Sequence, residues 1–216
     1  MMWEAVFLSL RVSAVATIVA LPLAIWVAHI LARKVFRGHA LLNGLVLPPV
    51  VTGYLLLVVF GRSGVIGGLL FEWFGVTLAF RWTGAALAAG IMGFPLMVRA
   101  IRLGFEAVDA GLEDAARTLG ASEVRVFRTV TLPLIAPAIV AGAVLGFAKA
   151  LGEFGATITF VAAIPGQTQT IPSAIYGLLQ VPGQESAVVV LVVISVTLAM
   201  GALVASEWLA RRMVVR

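Results

Sequence analysis

The 216-residue sequence has no cysteine, and that absence excludes disulfides, thiolate metal sites and cysteine nucleophiles. It leaves the redox compartment open. Charge is scarce too: 12% of the residues are charged, against about 25% in ordinary soluble domains. The few acids include Glu72, Glu185 and Glu207, none spaced with a partner for acid–base catalysis. His29 and His39 stand singly and are read as structural, so no metal site is expected. There is no Ser-His-Asp set, no HExxH and no G-x-x-x-x-G-K-[ST] run, so the chain is not expected to act as an enzyme or to cradle nucleotide phosphates. Basic residues are missing from Met1 to Leu10, which holds Glu4 instead, so the first apolar stretch is read as a retained helix and not a removable signal peptide.

What the sequence has is apolar length. Hydrophobic residues make up 62% of it, and a spanning helix needs about 20 mainly apolar residues. Such runs lie at about 12–32, 40–60, 83–103, 132–152 and 186–209, which predicts five spans in one domain, residues 1–216. The formal net charge of +5 raises the possibility of nucleic acid, but the bases do not gather on one solvated face. They gather on one side of a membrane. Arg33, Lys34 and Arg37 follow the first span, Arg99, Arg102, Arg117, Arg125 and Arg128 surround a polar insert, and Arg211, Arg212 and Arg216 close the chain. The opposite side has Arg62 and Arg81. The positive-inside rule therefore predicts an external amino terminus, with the carboxyl terminus and the insert in the cytoplasm.

Several spans carry helix breakers. Pro22 and Pro95 are expected to kink theirs, and Pro48-Pro49 with Gly53 predicts local unwinding near mid-membrane, which survives only where protein or a wet cavity covers it. Two outward segments exceed simple loops. Residues 61–82, with Trp73 and Trp82, read as a lid or interfacial helix. Residues 153–185 hold two apolar stretches of about ten residues, too short to span and typical of re-entrant elements, with a sixth span as the alternative.

The polar insert, EDAARTLGASEVRVFRTVTLP at 113–133, reads as two short helices joined at a glycine. Glu113 lies four residues before Arg117 and Asp114 three before it, both spacings that pair charges on a helix. Ala115 and Ala116 let another surface approach closely. Gly120 suits a left-handed helix end. Ser122 and Glu123 suit a restart, and Thr131 a further cap with Pro133 in the turn that follows. A solvated connecting loop is the plain alternative.

The spacing adds a resemblance. Asp114-Ala115-Ala116, three residues, Gly120, nine residues, then Val130-Thr131-Leu132-Pro133 is similar to the EAA signature of ABC importer permeases. Asp114 stands where that signature has Glu, and Val130 where it has Ile; Glu113 next door is expected to supply the longer carboxylate. The segments LPPVVTGYLLLVVFGRSGVIG, FPLMVRAIRLGFEAVD and LGEFGATITFVAAIPGQTQTIPSAIYGLLQVPG resemble the permease subunit of molybdate importers. GEFGAT is shared more loosely with sulfate permeases, and the continuation from TITF favours molybdate.

The resemblance implies an all-α polytopic transmembrane helical bundle with the type I ABC importer permease fold. It also implies a coupling helix within residues 106–130, with Glu113, Asp114, Ala115, Ala116, Arg117, Gly120 and Pro133 as the residues that couple to an ATPase. Implied partners are a second copy of the chain, two cytoplasmic ATPase subunits, an external molybdate-binding protein and the lipid bilayer. ATP and Mg belong to the ATPase, and this chain is expected to bind no cofactor.

Molybdate is a tetrahedral dianion, so its path must be wet and lined by hydroxyls, amides and weak positive potential. Thr157 and Thr159 offer hydroxyls, Gly152 and Gly155 exposed backbone, and Pro48 and Pro49 a break. Lys149, about 24 Å along its helix from Pro133, and Arg11 fall near the outer mouth and are expected to bias it toward anions. The alternative is snorkelling, with Lys149 paired to Glu153 four residues on. Competing functions are a permease for tungstate, sulfate or thiosulfate, a transporter driven by an ion gradient, and an intramembrane enzyme.

Overall fold

The computed structural model describes residues 2–33 and 47–214, and everything described is helix or connection. The helices are α1 (Met2–Arg33), α2 (Pro49–Phe60), α3 (Val65–Phe74), α4 (Trp82–Glu106), α5 (Ala110–Thr118), α6 (Glu123–Val126), α7 (Leu132–Leu151), α8 (Gly155–Val161), α9 (Ile171–Leu179) and α10 (Glu185–Val214). A π-helical turn, Phe127–Thr131, fuses α6 to α7, so that Glu123–Leu151 forms one 29-residue rod. Four rods are long and apolar enough to cross a membrane: α1, α4, Glu123–Leu151 and Glu185–Trp208. The fifth candidate is α2 followed by α3, bent by 45° at a short break. Of the expected span 40–60, residues 40–46 lie outside the described residues, as do Lys34, Arg37, His39 and Arg216.

The prolines inside the long rods break neither helix. Helices α1 and α4 run without interruption through Pro22 and Pro95, both on the exposed side of their rods. In a membrane, neighbouring helices and local adjustments re-satisfy the carbonyls that a proline frees. Of the expected unwinding around Pro48, Pro49 and Gly53, the backbone leaves the helix at Pro48 and not at Gly53. Pro48 is extended (φ −53°, ψ 137°), Pro49 opens α2, where a missing amide costs little, and Gly53 lies inside that regular helix. Gly53 is there for closeness: a Cβ would meet the Ala156 carbonyl oxygen at 2.5 Å, so α2 packs backbone to backbone on α8.

The same device joins the central rods. A Cβ on Gly93 of α4 would lie 3.1 Å from the Gly146 carbonyl oxygen of α7, and one on Gly142 would lie 2.9 Å from the Ile101 side chain. Lipid is as apolar as leucine, so membrane helices associate through close packing of small residues more than through burial. Met97, Ile101, Ile135, Ala24 and Ala28 fill one half of the bundle, and Val12, Ala85, Ala89, Ala156 and Phe160 the other.

Helices α8 and α9 are too short to span, as the sequence predicts. The turn between them includes Ala162 at φ 59°, an unfavourable angle for alanine. Thr168 holds that turn, accepting from the Ile164 N–H at 3.0 Å with its hydroxyl 3.2 Å from the Val161 carbonyl oxygen. The Ile171 N–H donates to Ser9 Oγ at 2.7 Å, tying α9 to the amino-terminal part of α1.

Candidate functional site

At one end of the bundle the carboxyl ends of α1 and α4 and the start of the α6–α7 rod converge on α5. Asp109 opens α5, its Oδ1 accepting from the Gly111 N–H at 2.8 Å. Gly120 closes it at φ 84°. The Gly120 N–H donates to the Arg117 carbonyl at 2.9 Å and the Ala121 N–H to the Ala116 carbonyl at 3.1 Å, the paired bonds of a left-handed helix stop. Ser122 starts the next helix by backbone geometry alone, without a side-chain cap.

Glu113 is the centre of this foot. It is 1% exposed. Its carboxylate accepts from the Arg33 guanidinium at the end of α1 and, at 2.6 Å, from the Thr131 hydroxyl in the π-helical turn. Arg117 approaches the second oxygen at 3.7 Å. Burial pushes the Glu113 carboxyl up, but the hydrogen bonds from Arg33 and Thr131 and the charges of Arg33 and Arg117 outweigh it, and its pKa lies below the ordinary carboxylate value. Arg117 also bridges Asp114 and Glu123, each at 2.7 Å. The Glu123 bond holds the Arg117 guanidinium above its usual range, and in return Arg117 lowers the Glu123 carboxyl.

Two expectations are corrected here. Glu113 does not offer a carboxylate to a partner protein, because it points inward and is spent on the chain's own α1 and α7; the exposed carboxylate is Asp114. Thr131 caps no new helix. Its backbone is helical (φ −65°, ψ −53°) and the rod runs through it, with the Leu132 N–H bonded to Phe127 five residues back. The wider π turn accommodates the ring and missing amide of Pro133, which would otherwise clash with the preceding turn.

The outer face of α5 shows Leu112, Asp114, Ala115 and Thr118, followed by Leu119 at 88% exposure. Ala116 is half-buried. The foot is thus a small helix locked from behind by charge, with Leu112, Ala115 and Leu119 on its front beside the polar Asp114 and Thr118.

The expected pathway residues divide. Lys149 forms an ion pair with Glu153 at 2.6 Å, and Glu153 Oε1 accepts from the Ala156 N–H at 3.0 Å, capping α8. Lys149 is therefore neutralised, and its expected role as a free cation is corrected. Arg11 stacks over Trp82, 3.7 Å from the ring centre, at the α1–α4 seam. The Thr157 and Thr159 hydroxyls sit within hydrogen-bond distance of carbonyls of their own helix, at 2.9 Å from Phe154 and 2.8 Å from Gly155. A Cβ on Gly155 would meet Pro49 at 2.7 Å, so this glycine serves packing and not exposed backbone. Gly152 ends α7 and is exposed. Pro48 and Pro49 are exposed beside Gly155.

Residues 20–215 match the family model described as binding-protein-dependent transport system inner membrane component. The chain belongs to this family. Among its relatives, the permease is 60% identical over 214 residues to the molybdenum transport system permease protein ModB of Escherichia coli K12, covering 97% of this chain and 93% of that one. The ModB of Haemophilus influenzae is 54% identical over 215 residues, 97% of this chain and 94% of that one. A sulfate transport system permease, CysW of Synechococcus elongatus, is 39% identical over 150 residues, 67% of this chain and 52% of that one. Among solved structures, the inward-facing MetNI methionine ABC transporter aligns with a TM-score of 0.71 at 16% identity, covering 98% of this chain and 94% of that one. A bacterial alginate ABC transporter aligns with a TM-score of 0.73 at 17% identity, covering 97% and 78%. The permease therefore has the type I ABC importer fold that the sequence predicts, and is an inner membrane component of a transport system.

Sequence reasoning missed three parts of the foot. Arg33 reads only as an orienting charge, although it pairs with Glu113 across 80 residues. Thr131 reads as a cap because a hydroxyl before Leu-Pro has that pattern. Leu119 is masked by ordinary helical spacing, and only its exposure reveals it. His29 packs between Phe105 and Phe127, with ring centres 5.0 and 5.6 Å away.

Proposed function

We propose that this chain is the permease subunit of an ATP-driven importer that carries molybdate across the cytoplasmic membrane by alternating access. The observation that carries the reading is the clasped foot: a helix that exposes Leu112, Ala115 and Leu119 and whose buried side is bonded to two different membrane rods through Glu113. A partner gripping Leu112, Ala115 and Leu119 would pull on α1 through Arg33 and on α7 through Thr131 together. Energy then enters from outside the chain. ATP and Mg are used by two cytoplasmic ATPase subunits, and this chain binds neither.

Two copies of the chain form the pathway, with α10 and the α8–α9 hairpin near their shared axis, and an external binding protein delivers the anion. The amino terminus lies outside; the foot and carboxyl terminus face the cytoplasm, as the distribution of arginines favours. Molybdate is preferred over sulfate because identity to the E. coli molybdenum permease is 60% over 97% of the chain, whereas the sulfate permease reaches 39% over 67%. Closure of the ATPases would draw the two feet together and open the dimer outward, and hydrolysis would return it inward.

The test is co-reconstitution with the ATPase and binding protein in vesicles. Molybdate is expected to stimulate ATP hydrolysis and uptake more than sulfate does. Uptake that persists without the ATPase would overturn the coupling, and stronger stimulation by sulfate would reassign the substrate.

A further inference from the structure

A cleft of about 420 Å³ runs between α1 and α4 on the outer half of the bundle. Val19 and Leu23 of α1 and Ile91 and Phe94 of α4 wall it, and the small Ala20 and Gly90 leave it room. Trp82 lines its outer end, and Arg11 lies flat on that ring at 3.7 Å. The Arg11 side chain is exposed, and it makes no ion pair with a described carboxylate. Arg81, also exposed, precedes Trp82 at the amino end of α4, where the helix dipole adds positive potential.

We propose that this cleft is a binding site for one anionic diacyl phospholipid of the outer leaflet, with an acyl chain in the cleft and the phosphate on Arg11. Depth supports this occupant. From Arg11 to Arg33 is 22 residues of α1, about 33 Å, close to the roughly 30 Å hydrocarbon core. Arg11 and Trp82 therefore sit at the outer boundary, where indole rings settle. The deepest lining residues, Leu23 and Phe94, lie 12 residues below Arg11 and Trp82, about 18 Å and so just past the bilayer midplane. That is the reach of one leaflet's acyl chain. A cleft of about 420 Å³ matches a single hydrocarbon chain better than a second helix, about 10 Å across. Charge selects the headgroup: a guanidinium stacked on indole keeps its edge N–H donors free for phosphate oxygens. The inference does not depend on what the permease transports.

Bromine quenches indole fluorescence on contact, which makes Trp82 its own reporter. The dimer is reconstituted in phosphatidylcholine carrying brominated phosphatidylglycerol or brominated phosphatidylcholine, with Trp3, Trp26, Trp73 and Trp208 replaced by Phe. Native mass spectrometry of the unaltered protein provides a second measurement of retained lipid. Phosphatidylglycerol is expected to be preferred by about fivefold, the order expected for one basic side chain near a membrane surface. The preference should vanish in Arg11→Gln and survive in Arg11→Lys, and Gly90→Leu, which fills the cleft, should reduce quenching by both lipids. Equal quenching by both headgroups, an unchanged preference in Arg11→Gln, or a Trp82 shielded from both lipids because the second copy covers it would each overturn the proposal.

Discussion

Glu113 illustrates how a single buried carboxylate links distant parts of a membrane chain. Its bonds to Arg33 and Thr131 span 80 and 18 residues of sequence. Replacing it with Gln removes the charge from two charge-assisted contacts, and the partly exposed Arg33 head tempers the loss to about 1–2 kcal/mol. Glu113→Gln is expected to insert and dimerise but to lower uptake per ATP hydrolysed by about tenfold, measured in the same vesicles; normal coupling would exclude the clasp as the force path. Acid should act on the same bond. Folding lowers this carboxyl below its ordinary 4.5, so its contribution is complete above that pH and is lost as pH falls through the folded value. The thermal midpoint of the native protein should drop more steeply below that point than that of Glu113→Gln, and parallel acid limbs would refute the assignment. At the other face, Lys149→Met leaves Glu153 buried without its cation and is expected to cost about 2 kcal/mol. Lys149→Met combined with Glu153→Gln should recover much of that stability with oxyanion selectivity unchanged. A selectivity change in the double variant would return Lys149 to the pathway.

At the scale of elements, α5 works because its two faces do different jobs. The inner face is charged and immobile, held by Arg33, Thr131 and the Arg117 network. The outer face is open, with Leu112 and Ala115 beside Asp114 and with Leu119 at its tip. Leu119→Asp changes nothing inside the chain, so the protein should purify normally and retain its melting temperature. Binding of the ATPase should weaken by tenfold or more, in the range of interface anchors, measured by co-purification and titration. Undiminished binding would move the docking face elsewhere. Much of α5 is legible from sequence, because Gly120 and the charge spacing are local signals. The inward turn of Glu113 is not, since only the arrival of α1 and α7 decides which of two adjacent acids is covered.

On the scale of the whole molecule, the least covered rod is α10. Val189, Val193, Val196, Met200 and Leu203 are all exposed and recur at spacings of four and three, the seam of a helix that packs lengthwise on another. A second copy at this seam fits a pathway on the shared axis. The chain lacks cysteine, so Val196→Cys introduces a single thiol. Oxidation in native membranes is expected to yield covalent dimers, whereas Trp26→Cys, on the exposed side of α1, should yield few; the reverse pattern would place the interface on α1.

Hydrophobic length by itself determined that this chain crosses a membrane, because about 20 apolar residues have few other places to go. Charge distribution set the expected orientation, and the spacing from Asp114 to Pro133 marked the foot. Gly53, Gly155 and Lys149 misled, since their effects depend on neighbours that a linear reading cannot see. Gly53 and Gly155 answer to the α2–α8 contact, and Lys149 is cancelled by Glu153. Periodicity and composition are properties of a segment, legible wherever it lies, but a charge or a missing amide acquires its consequence from what packs against it, and only the tertiary structure decides that.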